Sequence, residues 1–358
     1  MSDRITIRSH RSEYFVEFVD SGPATFREQV TEQDFVVIDQ NICELYPELA
    51  SLAMSRPHRI VVPSEQAKSY EALMPLIEQL ITGRFTKSNQ LVAIGGGIIQ
   101  DITAFTASIL YRGVDWTFFP TNLLTQCDSC IGSKTSINFG AYKNQLGGFC
   151  PPQAVFIDLN FLDTLPARDL RSGLGEMLHY FLVSGREDFD WAKDRLRPAL
   201  TDRGLLRELL QRSLAIKKAV IEIDEFDTGP RNVFNFGHSF GHALESATHY
   251  EVPHGIAVSY GMDLANLISA RNGYIPVALR NEVRPVLAEV WECTPVPELD
   301  HDRFVDALSR DKKNENSEVK VILTRGIGDM FKTTLELNAE TVDFIKHYFR
   351  DRLWETAA

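Results

Sequence analysis

The stretch QLVAIGGGIIQDITAFTASI at residues 90–109 decides the fold class of this chain. It begins with a short apolar run, passes through three glycines, Gly95 to Gly97, and continues with the pattern of a buried helix. A strand that turns through glycines into a helix is the repeating unit of parallel α/β sheets. Such a turn suits a phosphate, because glycine lets the backbone approach closely and the helix N-terminus supplies N–H groups. It lacks the Gly-x-Gly-x-x-Gly spacing of the dinucleotide fingerprint, so a tight turn without a ligand stays open at this point.

Strand patterns surround this stretch in the first part of the chain, at residues 4–8, 13–19, 35–41, 58–68 and 115–124. Strands that alternate with helical segments predict a mostly parallel, Rossmann-like sheet. Beyond about residue 160 the pattern becomes helical, at residues 166–184, 203–226, 236–248, 255–271, 276–292 and 301–312. We therefore predict an α/β domain over residues 1–160 and a mainly α-helical domain over residues 161–358.

The composition of the 358-residue chain excludes several classes of protein. Its 44% hydrophobic and 24% charged residues are ordinary for a globular fold, and no apolar run approaches the ~20 residues of a membrane span. The net charge of -12 argues against nucleic acid and anionic membranes as partners. The first residues contain no apolar stretch of signal-peptide length, so we expect a cytoplasmic protein. The five cysteines, including the isolated pair Cys127 and Cys130, are too few for a disulfide scaffold.

The clearest chemical pattern is a group of histidines in the second half of the chain. NFGHSFGHALE (235–245) places His238 and His242 one helical turn apart, and VPHG follows with His254. GLGEMLHYF (173–181) adds Glu176 and His179, again one turn apart. Two histidines and one carboxylate are a common ligand set for catalytic zinc, with a fourth position open to substrate or water. The spacing predicts a metal centre but does not say which three of these five residues bind it.

A second set of candidates is basic and polar. The segment TQCDSCIGSKTSINFGAYKNQLGGF (125–149) is too polar for a core and too rich in glycine and serine for a plain helix. It carries Asp128, Lys134, Lys143 and Asn144, which suit an anionic substrate unless the segment is a solvated loop. Further basic candidates are Lys217, Lys218, Arg231, Lys312 and Lys313. In an acidic protein these residues together predict a pocket for a small substrate with more than one negative group.

Six strings of the chain, taken together, resemble the 3-dehydroquinate synthases and the wider sugar phosphate cyclase family. They are IGGGIIQD, YRGVDWTFFPTNLL, DSCIGSKTSINFGAYKNQLGGF, SGLGEM, DEFDTGPRNVFNFGHSFGHALE and VPHG, and the likeness runs from about residue 36 to 325. The resemblance implies a dehydroquinate-synthase-like fold and a lyase. Its reaction would convert 3-deoxy-D-arabino-heptulosonate 7-phosphate into 3-dehydroquinate and phosphate, by NAD-mediated transient oxidation, phosphate elimination, re-reduction and intramolecular aldol closure.

The resemblance also implies a role for each candidate residue. Zn²⁺, with Co²⁺ as an alternative, would be held by Glu176, His238 and His254. NAD would be bound by Asp39, Glu65, Lys68, Gly96, Gly97, Asp101, Thr121, Asn122 and Lys143, with Asp101 at a ribose. The substrate and its chemistry would depend on Asp128, Lys134, Asn144, His179, Lys217, Asp227, Arg231, Asn235, His242, Lys312 and Lys313. Arg112 would reach the partner subunit's site, which implies a homodimer.

Two of these implied roles concern the substrate's negative groups. His242 matches a phosphate-binding histidine, not a metal ligand. Lys217 and Arg231 match a pair that holds a carboxylate. The phosphate-binding lysines speak against a metal-dependent polyol dehydrogenase, which is the alternative of a different class and would release NADH in a net oxidation.

Several positions depart from the dehydroquinate synthase pattern. His179 stands where the family has lysine, Asp227 where it usually has glutamate, and Asn122 where the cofactor turn has threonine. Ser133 and Cys130 replace the commoner glycine and serine. Because these changes concern hydroxyl recognition more than metal or phosphate, a related cyclase stays open as the alternative. Its substrate would be another sugar phosphate, such as sedoheptulose 7-phosphate or glucose 6-phosphate.

Overall fold

The computed structural model describes residues 3–140, 142–292, 294–309 and 318–355. Its contacts divide the chain into two compact units. Unit 1 comprises residues 1–165 and 217–226, and unit 2 comprises residues 166–216 and 227–358. The chain first leaves unit 1 after residue 165, which is close to the predicted boundary at residue 160. The sequence did not indicate that residues 217–226, in the middle of the helical region, pack in unit 1.

Unit 1 is built on strands. They are β1 (Arg4–Ile7), β2 (Tyr14–Val19), β3 (Phe35–Asp39), β4 (His58–Val61), β5 (Gln90–Gly95), β6 (Asp115–Pro120), β7 (Lys134–Phe139), β8 (Tyr142–Phe149) and β9 (Ala154–Asp158). Seven of them form one sheet in the order β1-β2-β9-β6-β5-β3-β4. β1 and β2 pair antiparallel, and the other neighbours in this sheet pair parallel. The predicted mostly parallel α/β fold is confirmed.

The helices of unit 1 are α1 (Gly22–Gln29), α2 (Gln40–Leu45), α3 (Pro47–Met54), α4 (Tyr70–Thr82) and α5 (Gly97–Ile109). The strand β3 has five buried residues in sequence, FVVID, as expected for a parallel strand covered on both faces. Its Val36 and Ile38 join Phe26, Ile94 and Phe119 in one hydrophobic core. This core holds the parallel strands in place. It therefore also fixes the position of the sheet edge at which β3, β5 and β6 end.

The polar segment 125–149 is more ordered than a loop. β7 and β8 form an antiparallel hairpin within it, in which Lys134 pairs with Phe149. A short π-helical turn, Thr125–Ser129, precedes the hairpin. The alternative of an irregular solvated loop is therefore wrong for most of this segment.

Unit 2 is mainly helical, as predicted. Its helices are α6 (Ala167–Ser184), α7 (Arg186–Lys193), α8 (Leu196–Ala199), α9 (Arg203–Ile221, whose last residues belong to unit 1), α10 (His238–Ala247), α11 (His254–Arg271), α12 (Val277–Trp291), α13 (His301–Ser309) and α14 (Ala339–Arg350). The strands β10 (Glu318–Gly326) and β11 (Asp329–Glu336) form a hairpin. None of the helices in the described part of the chain is long and apolar enough to span a membrane.

The buried helix α11 organises unit 2. It packs against α6, α10 and α12, and most of its side chains are buried. Two glycines permit this close packing. A Cβ atom on Gly255 would lie 1.9 Å from the carbonyl oxygen of Ser172 in α6, and one on Gly261 would lie 2.0 Å from that of Gly237, which precedes α10. Both distances are far below van der Waals contact, so these positions require glycine.

A buried ion pair joins three helices of unit 2. Arg280 in α12 donates to both carboxylate oxygens of Asp263 in α11, at 3.0 and 2.8 Å. The hydroxyl of Tyr348 in α14 donates to the same carboxylate at 2.9 Å. Both charged side chains are almost fully buried. A buried ion pair adds little net stability, but removing one partner leaves the other charge uncompensated.

We predict that Asp263→Ala lowers the free energy of unfolding of unit 2 by about 3–5 kcal/mol, because it leaves the Arg280 cation buried and unpaired. Lys346→Ala, which removes an exposed ion pair with Asp302, is the control and should leave this free energy almost unchanged. Urea unfolding followed by tryptophan fluorescence measures both variants. Equal losses in the two would contradict this explanation of how α11, α12 and α14 are held.

Candidate functional site

A cluster of metal-ligating side chains lies where three helices of unit 2 approach. Glu176 projects from the middle of α6, His238 is the first residue of α10, and His254 is the first residue of α11. Gly237 adopts a positive φ of 79° directly before His238, which lets the chain turn sharply into α10. The close helix packing at Gly255 and Gly261 therefore brings together side chains that are up to 78 residues apart in sequence.

The geometry of this cluster fits a divalent metal. His238 Nε2 lies 3.6 Å from Glu176 Oε1, and His254 Nε2 lies 3.7 Å from Glu176 Oε2. The three potential ligand atoms lie within 4.8 Å of one another. The Glu176 side chain is 2% exposed, and among the described residues nothing donates a hydrogen bond to its Oε2. A buried carboxylate oxygen without a donor is unfavourable, and a cation held by both imidazoles would satisfy it.

The histidines also determine the charge state of Glu176. Burial alone would raise the pKa of this carboxyl group, but His238, His179 and His254 outweigh that effect and hold the pKa below its usual range. Glu176 is therefore ionised at neutral pH, as a metal ligand must be. The structure thus brings Glu176, His238 and His254 together, and their binding of zinc stays a prediction.

A fourth residue, Glu245, orients one of these histidines. Its Oε2 lies 3.0 Å from His254 Nδ1, on the opposite side of the ring from the nitrogen that faces Glu176. A hydrogen bond from Nδ1–H to a carboxylate leaves the Nε2 lone pair available to a metal and fixes the ring orientation. The sequence contained this signal, because Glu245 lies seven residues after His238 on the same face of α10. The sequence-based candidates above do not include Glu245.

The other two histidine candidates surround the cluster. The exposed His242 ring stacks on the His254 ring with a centroid distance of 5.5 Å. The surrounding protein and the neighbouring histidines lower the pKa of His242. His179 is fully buried, with its ring 4.9 Å from that of His238 and 5.9 Å from that of Phe234. Neither belongs to the ligand group that contains Glu176, although His242 forms a second group of possible donors with Glu245 and His254.

The remaining described candidate residues of unit 2 lie between residues 227 and 235. Asp227 has a positive φ of 58°, and a short 3₁₀ helix, Pro230–Asn235, begins three residues later. Within it Arg231 is buried, and the side chain of Asn235 donates to the carbonyl oxygen of Asn232 at 3.1 Å. Lys312 and Lys313 lie outside the described residues, so their assignment to a phosphate pocket stays a prediction.

In unit 1, several predicted cofactor residues lie at the carboxyl edge of the parallel sheet. Asp39 ends β3, Gly96 and Gly97 follow β5, and Thr121 and Asn122 follow β6. Ligands of open α/β sheets bind at this edge. The α5 helix begins there without a side-chain cap among the described residues, so its first N–H groups are available to an anion such as a pyrophosphate.

The Asn122 side chain fits closely against the glycine turn. A Cβ atom on Gly96 would lie 2.6 Å from Asn122 Nδ2, so glycine is needed for this contact. The Oδ1 atom of Asn122 accepts a hydrogen bond from the backbone N–H of Thr125 at 2.9 Å. Asparagine thus caps the turn that precedes the π-helical segment, which explains how this departure from the family pattern is accommodated.

Five more of the predicted unit 1 residues form a polar network. Lys68 Nζ lies 2.6 Å from Asp101 Oδ2 and donates to Asn144 Oδ1 at 2.7 Å. Lys143 Nζ lies 3.1 Å from Glu65 Oε1. Burial would raise the pKa of Glu65, but Asn138 and Lys143 reverse the effect and lower it. The network brings Asn144, expected at a substrate phosphate, into contact with the cofactor candidate Lys68.

Lys217 has a partner that the sequence did not indicate. Although 89 residues separate them, its Nζ lies 2.6 Å from Asp128 Oδ1 and 2.5 Å from the Asp128 carbonyl oxygen. Both residues belong to unit 1, whereas Arg231 belongs to unit 2. The pairing of Lys217 with Arg231 on a carboxylate stays a prediction. Lys134, at the start of β7, and Arg112 are exposed.

The Cys127 and Cys130 thiols point into the protein. Both side chains are buried, and their sulfur atoms contact the carbonyl oxygens of Leu124 at 3.5 Å and Gln126 at 3.4 Å. Burial raises the pKa of Cys130 to about 12. Thiolate chemistry requires a lowered pKa, so the buried position of Cys130 argues against a reactive thiolate there.

The described chain combines a parallel sheet with a glycine turn in unit 1 and a carboxylate–histidine cluster in unit 2, which together are typical of enzymes that use a nucleotide and a divalent metal. Residues 58–172 match the family model described as 3-dehydroquinate synthase N-terminal. Residues 173–314 match the model described as 3-dehydroquinate synthase C-terminal. The chain belongs to the 3-dehydroquinate synthase family.

Individual relatives agree with this assignment. A 3-dehydroquinate synthase from Alkaliphilus metalliredigens is 32% identical over 340 residues, which cover 93% of this chain and 96% of the relative. A solved 2-epi-5-epi-valiolone synthase from Streptomyces hygroscopicus, with NAD⁺ and Zn²⁺ bound, is 27% identical with a TM-score of 0.83 and covers 95% of this chain and 97% of its own. A solved 2-deoxy-scyllo-inosose synthase has a TM-score of 0.86 at 22% identity, covers 97% of this chain and 99% of its own, and supports the fold.

We predict that Glu245→Gln weakens Zn²⁺ binding by about 10- to 100-fold, because the His254 ring loses its anionic hydrogen-bond partner. Glu251→Gln, on the exposed segment after α10, is the matched control and should bind Zn²⁺ like the unmodified protein. Competition with a chromogenic chelator measures both affinities. An unchanged affinity in Glu245→Gln would show that the contact with His254 does not orient a metal ligand.

Proposed function

We propose that this chain is a sugar phosphate cyclase that converts 3-deoxy-D-arabino-heptulosonate 7-phosphate into 3-dehydroquinate and phosphate. The observation that carries the proposal is the cluster of the buried Glu176 with the partly exposed His238 and His254, in a chain whose family matches span residues 58–314. We expect NAD and a divalent metal, Zn²⁺ or Co²⁺, as resident cofactors. When bound, NAD supplies a reversible hydride acceptor and the metal a Lewis acid for a substrate oxygen.

The residues of unit 1 would bind the cofactor. The N–H groups at the start of α5 suit the pyrophosphate, and Gly96 and Gly97 allow it to approach the backbone. Asp39 at the end of β3 suits ribose hydroxyls, as an acid does at this position in other dinucleotide-binding sheets. Glu65, Lys68, Asp101 and Lys143 are the cofactor candidates of the polar network. Asp101 can serve a ribose only if its bond to Lys68 adjusts.

The basic residues would hold the substrate's two anionic groups. Lys134, Asn144, Asn235 and His242 are proposed for the phosphate, and Lys217 and Arg231 for the carboxylate. Holding the substrate at both ends fixes the ring relative to the cofactors, which is the main contribution of the protein when the cofactors perform the redox chemistry. Asp128, already bonded to Lys217, would then contact a substrate hydroxyl.

A related cyclase with another substrate is the second candidate, and one observation favours it. His179, fully buried next to His238, replaces a lysine of the family, and Asp227 is shorter than the usual glutamate. Imidazole cannot reproduce a long, mobile ammonium group as a donor to substrate hydroxyls. Sedoheptulose 7-phosphate and glucose 6-phosphate therefore belong in the test. Neither carries the carboxylate for which Lys217 and Arg231 are suited.

Two further features are proposed from the family resemblance. Arg112 is exposed in a turn where Tyr111, Arg112 and Gly113 all have positive φ, and we propose that it reaches the active site of a second copy in a homodimer. We also propose that the protein acts in the cytoplasm, where its expected cofactor and phosphorylated substrate are kept.

We predict that purified protein with NAD and Zn²⁺ releases phosphate from 3-deoxy-D-arabino-heptulosonate 7-phosphate without accumulating NADH, because the hydride is returned in each turnover. Sedoheptulose 7-phosphate and glucose 6-phosphate are assayed in parallel. His238→Ala should abolish phosphate release, whereas the control His249→Ala, an exposed histidine after α10, should retain it.

The other outcomes distinguish the alternatives. Release only from sedoheptulose 7-phosphate or glucose 6-phosphate would replace the proposal with a specialised cyclase. NADH that accumulates with substrate, without phosphate release, would indicate a polyol dehydrogenase instead.

A further inference from the structure

A strained turn lies directly before Lys134. Ser133 has a φ of 58°, a left-handed conformation that is uncommon for a residue other than glycine. The backbone N–H of Lys134 donates to the carbonyl oxygen of Gly132 at 2.8 Å, so Ser133 is the central residue of a tight three-residue turn. Turns of this kind with positive φ are rare and strained, and they persist only when the surroundings hold them.

One carboxylate holds this turn in place. The hydroxyl of Ser133 donates to Glu225 Oε1 at 2.5 Å. The Glu225 side chain is 12% exposed, and it also accepts from the Ser9 hydroxyl at 2.6 Å and from the backbone N–H of His10 at 2.8 Å. Burial would raise the pKa of Glu225, but these donors lower it, so the carboxylate is ionised and the hydrogen bonds are charge-assisted.

Glu225 also fixes the segment that carries Lys217. Residues 217–226 pack in unit 1. At one end of this segment Lys217 bonds to Asp128. Near the other end Glu225 accepts the hydrogen bonds from Ser133, Ser9 and His10. The next residue, Phe226, packs edge-to-face on Phe149 at 4.8 Å, and Phe149 is the strand partner of Lys134. Two adjacent residues of this segment therefore support the start of the β7–β8 hairpin.

We infer that Glu225 is a positioning residue for the substrate-binding lysines. It positions Lys134 by holding the Ser133 turn that precedes it, and it positions Lys217 by holding the segment that carries it. The inference rests on the proposed function only in assuming that Lys134 and Lys217 bind the substrate's anionic groups. Because Ser133 has a left-handed φ, the tether to Glu225 helps to hold this turn. Glycine adopts the same φ without strain, whereas serine requires a partner to hold it.

The test compares Glu225→Ala, Ser133→Ala, Ser133→Gly and the double alanine variant. We expect each alanine variant to raise the KM for the phosphorylated substrate, and the Kd for inorganic phosphate measured by calorimetry, about 10-fold, as for the loss of one charge-assisted hydrogen bond. The kcat should change less than about 2-fold, because the metal cluster is untouched. The double variant should be no worse than Glu225→Ala, since Glu225→Ala already removes the bond to Ser133. Ser133→Gly should recover part of the loss seen in Ser133→Ala.

Glu222→Gln is the matched control. Glu222 lies on the same segment and binds the same N-terminal region, through the backbone N–H of Arg8 at 2.8 Å, but it does not contact Ser133. It should leave KM and the phosphate Kd unchanged. An effect equal to that of Glu225→Ala, or a Ser133→Ala variant with unchanged KM and Kd, would overturn the inference.

The design separates this inference from the proposed function. Phosphate release from 3-deoxy-D-arabino-heptulosonate 7-phosphate by the unmodified protein tests the function alone. If that substrate is not used, the phosphate Kd of the variants still tests the positioning role. Calorimetric NAD binding and thermal unfolding are measured for each variant. If the affinity for NAD and the unfolding temperature change as much as the affinity for phosphate does, Glu225 stabilises unit 1 as a whole and the inference is wrong.

Discussion

The close approach of three helix backbones at glycine residues is the constraint on which the chemistry of unit 2 depends. Gly255 lies against the Ser172 carbonyl of α6, and Gly261 lies against the Gly237 carbonyl before α10. A side chain at either position would separate the helices by more than a metal–ligand bond can tolerate. Because the helices are this close, Glu176, His238 and His254 present donor atoms within 4.8 Å of one another. The candidate metal site is thus a consequence of helix packing.

Charge is balanced differently in the two units. In unit 2 the buried Glu176 carboxylate faces imidazoles, which leaves room for a cation. In unit 1, three lysines each form an ion pair with a carboxylate. The pairs are Lys68 with Asp101, Lys143 with Glu65 and Lys217 with Asp128. In an acidic protein, lysines kept in place can provide local sites for anions, and these ion pairs hold the three lysines in place. Anionic ligands would therefore bind to a prearranged set of charges, which limits the reorganisation that binding requires.

The sequence predicted the fold well because its signals are local. Apolar strands such as 35–41 and helical repeats such as 255–271 correspond closely to β3 and α11. The β7–β8 hairpin was missed because glycines and serines interrupt its alternation. The packing of residues 217–226 in unit 1 was also missed, since the periodicity of α9 continues across the division and carries no sign of it. Contacts over such distances depend on tertiary packing, which periodicity does not report.

The candidate site shows the same division between local and distant signals. Helical spacing narrowed the candidate metal ligands to five residues, and the family resemblance implied Glu176, His238 and His254. The structure places the potential ligand atoms of these three within 4.8 Å of one another, and their binding of a metal stays a prediction. Glu245 could have been found, because it shares a face of α10 with His238. The bond between Lys217 and Asp128 could not, since 89 residues separate them. The tether from Ser133 to Glu225 likewise joins residues 92 positions apart.

X-ray absorption spectroscopy of the zinc-loaded protein tests whether Glu176, His238 and His254 form a metal centre. We expect about one zinc ion per chain, with nitrogen and oxygen ligands near 2.0–2.1 Å that include two imidazoles, and no sulfur. A sulfur shell at about 2.3 Å, or no bound zinc, would contradict it. Such a result would show that the packing of α6, α10 and α11 does not create the metal centre.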